Sequence, residues 1–138
     1  MRWRVLRAAG LSIARSSIGD RVVIDGRDVF VSEGVDLGAD VFIDATAPVY
    51  LGAGVRVGPG AKILTSVDFA HNAVEGDDGV AAKPVLIGEG AQIGARVVVF
   101  PGVTIGERAV ISDDSEVREN CRPDATYAGA PARLVGEF

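Results

Sequence analysis

The 138 residues hold a single cysteine, a single histidine, a single tryptophan and a single methionine. The lone thiol, Cys121, excludes an internal disulfide and fits a reducing cytoplasm. One histidine and one cysteine cannot assemble the ligand sets of protein zinc sites, so no metal is expected. No apolar run approaches the roughly 18 residues of a membrane span. Acidic side chains outnumber basic ones, 19 to 14, and the net charge of −5 argues against nucleic acid as the main partner. At the N-terminus Arg2, Arg4 and Arg7 surround Trp3, Val5 and Leu6. That stretch is too short for a signal peptide and reads as an amphipathic cap, residues 1–15, over one end of the domain. Weak contact with a membrane surface is the alternative use of such a segment.

Hydrophobic residues make up 48% of the chain, enough for one continuous core, and the length leaves little room for a second domain, so residues 1–138 are expected to form one. The 18 glycines do not form a linker; they sit at fixed phase inside hydrophobic sequence. Ile87, Ile93, Val99, Ile105, Ile111 and Val117 are six residues apart, and Gly88, Gly94 and Gly106 follow three of them. Four residues after the first five come Ala91, Val97, Val103, Ala109 and Ser115, all small. Upstream the same phase holds at Leu51, Val57 and Ile63. Val31, Leu37, Ile43 and Val49 make a second ladder offset by two, and Ile18, Ile24 and Phe30 a third offset by one.

A period of six suits neither an amphipathic helix nor an alternating strand. It suits a short strand and a sharp turn, three of which close one triangular coil of a parallel β-helix. The aliphatic residue points inward, the small residue fits the corner, and glycine relieves strain where the backbone bends. One coil cannot bury its own apolar face, so stability must come from its neighbours. The phase slips near residues 30 and 50 predict bulges or corner insertions. Between Ile63 and Val85 the ladder stops. Residues 64–84 form a protruding segment with Asp68, His71 and Glu75, of the length at which loops are usually functional.

The stretch KPVLIGEGAQIGARVVVFPGVTIGERAVI, followed by YAGAPARLV, resembles the hexapeptide-repeat acetyltransferases, and among them the maltose, galactoside and polysaccharide O-acetyltransferases. IDATAPVYLGAGVRVGPGAKILT resembles their middle coils, so the likeness covers residues 18–138. The resemblance implies an all-β, single-stranded left-handed parallel β-helix, with residues 122–138 as a C-terminal tail. It implies a homotrimer with active sites between adjacent subunits. It also implies acetyl-CoA as donor and the hydroxyl of a sugar or related small molecule as acceptor. The family's general base is a histidine on the protruding loop, and His71 is the candidate here; an unperturbed imidazole titrates near pH 6.5. Asp44 matches an acidic residue that contacts the acceptor, and Asp68 is assigned to the same side of the reaction. Acetyl-CoA is expected along the C-terminal coils with Gly94, Ala95, Thr104, Arg118 and Arg133 as contacts, the arginines for phosphate. Backbone amides at coil corners would hold the thioester oxygen.

Three departures stand beside this likeness. Asp68 occupies the place of the family histidine, and His71 follows three residues later. Leu37 and Gly38 stand where the family has an asparagine upstream of Asp44. Near the family's threonine–lysine pair this chain has Arg118 and Glu119, with Arg122 as another nearby cation. Two functions therefore stay open. One is an O-acetyltransferase with His71 as base. The other is a trimeric β-helix that lost the base and serves as a scaffold or binds a nucleotide or sugar. The β-helix carbonic anhydrases need three histidines and are excluded.

Overall fold

A strand of two residues cannot build a sheet with its neighbours in sequence, so its amides must pair with the coil before and the coil after. The computed structural model describes residues 2–66 and 82–138. The chain opens with helix α1 (Arg2–Ala8), whose Trp3 and Leu6 pack on the end of the core. Coiling begins at Ser12, inside the stretch expected as cap. The first side of the solenoid holds β1 (Ser12–Ile13), β4 (Val29–Val31), β7 (Val49–Leu51), β10 (Val85–Ile87) and β13 (Thr104–Ile105). The second holds β2 (Ser17–Ile18), β5 (Asp36–Leu37), β8 (Arg56–Val57), β11 (Gln92–Ile93) and β14 (Val110–Ile111). The third holds β3 (Val23–Gly26), β6 (Phe42–Ala45), β9 (Lys62–Ile63), β12 (Val98–Val99) and β15 (Glu116–Val117). All these pairings are parallel, and five coils stack into one β-solenoid. The expected tail adds β16 (Ala125–Gly129), parallel to β14, and β17 (Ala132–Glu137), which returns antiparallel.

The aliphatic ladder lies inside. Ile87, Ile93, Val99, Ile105 and Ile111 are at most 3% exposed. Ile87 stacks between Leu51 and Ile105, and Ile93 between Val57 and Ile111. The small residues Ala91, Val97, Val103, Ala109 and Ser115 are buried as well. Cys121 bridges to Ile105 and Tyr127 pairs with Ile111, so these two side chains close the ladder at its C-terminal end.

One ladder assignment upstream is corrected, and the stacking of another is shifted. Val31, not Phe30, is the inward residue that continues from Ile24, and Leu51, not Val49, stacks on Val31. Val49 is buried beside Val29 and Val85, whereas Phe30 faces outward and stacks on Tyr50 with ring centroids 4.9 Å apart. Both slips fall at the corner from the third side to the first, after β3 and β6, which run to four residues instead of two. They are corner insertions.

The corner chemistry also differs from expectation. A Cβ on Gly88 would meet the backbone nitrogen of Glu107 at 2.7 Å, and on Gly58 that of Ala95 at 2.6 Å. These glycines serve close approach between coils, not a bent φ. Positive φ occurs two residues further on. It is carried by Gly90 and Gly54, but also by Arg21, Asp40, Arg96, Arg108, Asp114 and Asp124, with φ between 56° and 62°. A branched Cβ is strained there. The six residues meet in pairs one coil apart: Arg21 with Asp40, Arg96 with Asp114 and Arg108 with Asp124, each fork-on-fork with Nε to Oδ1 at 2.7 Å. Hydrogen bonding to the arginine holds each of the three aspartates below the usual carboxylate range.

Two outcomes are expected. Ile105→Ala removes a fully buried ladder residue and should cost about 2–5 kcal/mol in chemical denaturation. Asp114→Asn should be less stable than wild type at neutral pH. The folded-state pKa of Asp114 lies below its ordinary value of 3.8, so the contribution is present above that pH and fades as pH falls through the folded value. Melting curves of both proteins should converge on acidification.

Candidate active site

The chain leaves the third coil at Thr65 and Ser66, both buried, and rejoins the fourth at Lys83, whose amide donates to the Thr65 carbonyl at 2.8 Å. Beneath this neck lies Asp44, at the end of β6 and fully buried. Its Oδ1 accepts from the Thr46 hydroxyl at 2.6 Å and the Thr46 amide at 3.1 Å, and its Oδ2 accepts from the Thr65 amide at 3.2 Å. The Thr65 hydroxyl donates to the Asp44 carbonyl and accepts from the Ala47 amide. Among the described residues no cation enters the cluster, and the donors to the buried carboxylate are neutral. The carboxylate of Asp44, the residue matched to an acceptor contact, ties the corner after β6 to the root of the segment that follows Thr65. His71 and Asp68 lie outside the described residues.

The residues expected to meet a coenzyme stand on different parts of the solenoid. Gly94 and Ala95 occupy the corner after β11, where the Ala95 amide already donates to Oδ1 of Asp113 at 2.8 Å. The Thr104 amide donates to Oδ1 of Asn120, also at 2.8 Å. The Thr104 side chain lines an apolar groove of about 590 Å³ on the outer face of the first side, with Phe30, Tyr50 and Leu86. Arg118 lies at the corner after β15, its guanidinium 4.0 Å from the Phe100 ring centroid and 3.4 Å from Glu116. Arg133 is exposed on β17. One chain therefore does not gather these five residues into one cluster. Arg122, the other nearby cation, is paired with Glu137 at 2.5 Å. Burial raises the Cys121 thiol to about 11, so it is protonated at neutral pH and no nucleophile.

Sequence reasoning missed Thr65, Lys83, Phe100, Asp113 and Asn120. Asp113 and Asn120 had a readable signal: each lies about one coil from the amide it caps.

Residues 84–119 match the family model described as bacterial transferase hexapeptide, six repeats. Residues 84–119 carry this repeat. No curated protein matches it. Among solved structures, the hexapeptide solenoid is similar to an acetyltransferase from Vibrio cholerae complexed with acetyl coenzyme A, with 25% identity, 99% of this chain and 75% of that one covered, and a TM-score of 0.86. It is similar to a galactoside acetyltransferase in complex with coenzyme A, with 25% identity, 88% and 64% covered, and a TM-score of 0.64. A maltose O-acetyltransferase from Clostridium difficile shares the fold at 24% identity, 99% and 74% covered, and a TM-score of 0.88.

The neck gives a direct test. Asp44→Asn offers one acceptor oxygen where the carboxylate offers two, so either Thr46 or Thr65 loses its partner. The variant should lose about 1–3 kcal/mol in chemical denaturation, and amide exchange at Thr65 and Lys83 should accelerate.

Proposed function

We propose that the protein is an acetyl-CoA-dependent O-acetyltransferase whose acceptor is a hydroxyl on a sugar or related small molecule. The observation that carries this reading is the likeness, across 99% of the chain, to a solenoid solved with acetyl coenzyme A. In this reading His71 is the general base. One imidazole nitrogen takes the acceptor's hydroxyl proton as the oxygen attacks the thioester carbonyl. The carbonyl oxygen gains the charge, the carbon–sulfur bond breaks, and the imidazolium returns its proton to the leaving thiolate. Arg133, exposed and without an ion-pair partner among the described residues, is the cation for coenzyme phosphate. Arg118 is the second. Gly94, Ala95 and Thr104 contribute side-chain and carbonyl surface, because the Ala95 and Thr104 amides are already engaged.

The active unit in this proposal is a homotrimer with sites between chains. Two features support it. The coenzyme residues are spread over separate parts of one chain. The first side also carries an outward file of Phe30, Tyr50 and Leu86, in register and each about 40% exposed, an apolar stripe suited to burial against another chain. The full burial of Asp44, with its carboxylate held by Thr46 and Thr65, favours the second reading, a trimeric β-helix without the chemistry that serves as a scaffold or binds a nucleotide or sugar.

Turnover of acetyl-CoA with a panel of sugars and nucleotide sugars separates the two. On the transferase reading, His71→Ala keeps coenzyme binding and loses about 10²- to 10⁴-fold in turnover. Arg133→Ala weakens coenzyme binding by about tenfold or more in calorimetry. No turnover by the wild type with any acceptor selects the scaffold, and wild-type turnover in His71→Ala removes His71 as the base. Light scattering at micromolar concentration should give three chain masses, and Tyr50→Glu should lower that mass.

A further inference from the structure

A groove of about 830 Å³ opens beside α1, along the outer face of the first three coils. Half-buried Trp3 forms part of its wall, and Arg15, Ser17, Glu33, Asp36 and Arg56 line the rest. Ser17, Asp36 and Arg56 are direct neighbours across β2, β5 and β8, so they stand in a file about 4.8 Å apart. Among the described residues, the side chains of Arg15, Glu33, Asp36 and Arg56 make no hydrogen bond or ion pair with each other or with anything else. At the corners of the solenoid the positive-φ arginines Arg21, Arg96 and Arg108 are all engaged by carboxylates.

The mixture of groups narrows what can fill the groove. Arg2, which also lines the groove, is already held by Asp20 and the Ile18 carbonyl, so a bare phosphate would meet two carboxylates as well as the two uncommitted guanidiniums. A polycation would meet the arginines. A hydrocarbon would leave four charges without solvent. A ring that carries one carboxylate, several hydroxyls and an apolar C–H face answers every group. The guanidiniums take the carboxylate, the aspartate, glutamate and serine take hydroxyls, and the indole packs on the C–H face. We propose that this groove binds an acidic saccharide, a pyranose bearing a carboxylate group. The site lies on coils one to three and uses none of the residues assigned to the coenzyme or to catalysis, so it stands or falls separately from the transferase reading.

Trp3 is the only tryptophan in the chain, so its fluorescence reports the α1 end of the solenoid, and the Arg56 variant ties a response to this groove. The full-length protein is titrated with a glucuronic-acid-containing disaccharide, with a neutral disaccharide of the same linkage, and with inorganic phosphate at matched ionic strength. Saturable change with the acidic disaccharide is expected, with affinity at least about tenfold above that for the neutral one and no saturation by phosphate. Arg56→Gln should weaken the acidic disaccharide by about tenfold or more. That residue is exposed, so unchanged melting of the variant confirms that the loss is local. Equal response to the neutral sugar, saturation by phosphate, no change at any sugar concentration, or full affinity in the Arg56 variant would each overturn the assignment. If Arg56→Gln fails to fold, Asp36→Asn and calorimetry on the wild type carry the same comparison.

Discussion

The structure rests on backbone hydrogen bonds from one coil to the next. The Gly88 amide donates to the Ile105 carbonyl at 2.8 Å and the Gly94 amide to Ile111 at 2.9 Å, and the same contact recurs along every side. Such bonds set the distance between coils, and that distance dictates the rest. It leaves no space for a Cβ at Gly58, Gly88 or Gly106. It brings each inward aliphatic onto its equivalent above and below, so a ladder of similar side chains packs without voids. It also places corner residues of successive coils within reach of each other's side chains, and the arginine–aspartate pairs exploit this.

Where the spacing is undisturbed, the sequence is transparent. From Ile87 to Val117 the six-residue period and the buried ladder coincide residue for residue. Upstream the count failed at Phe30, and Val49, buried as expected, stacks on Val29. Two adjacent apolar residues at a corner, Phe30 and Val31, look equivalent in a string, and only the length of the preceding strand decides which turns in. The ion pairs were illegible for a related reason. A period of six shows what faces inward and hides which outward residues stack one coil apart.

Asp44 shows a different limit. Its position in the chain matches that of an acceptor contact, and the direction of its carboxylate is set by Thr46 and by Thr65, 21 residues away. Residue type at a matched position carries chemistry, whereas orientation is a tertiary property. The coenzyme residues make the same point at larger scale. Gly94, Thr104, Arg118 and Arg133 are close in sequence terms but fall on separate surfaces of one chain, because each sixth residue turns the path through a corner.

The pairing of Leu51 with Ile87 has an entropic meaning. From Ile87 to Ile105 the chain takes 18 residues to return to the same side, and from Leu51 to Ile87 it takes 36, twice as many. Closing a segment of doubled length costs only about 0.6 kcal/mol more, because closure entropy grows with the logarithm of length. A solenoid whose coils touch only their neighbours can therefore accept a long excursion at one corner and resume its stacking on the far side at small thermodynamic expense. Such an architecture lets chemistry diversify at one corner without re-solving the fold.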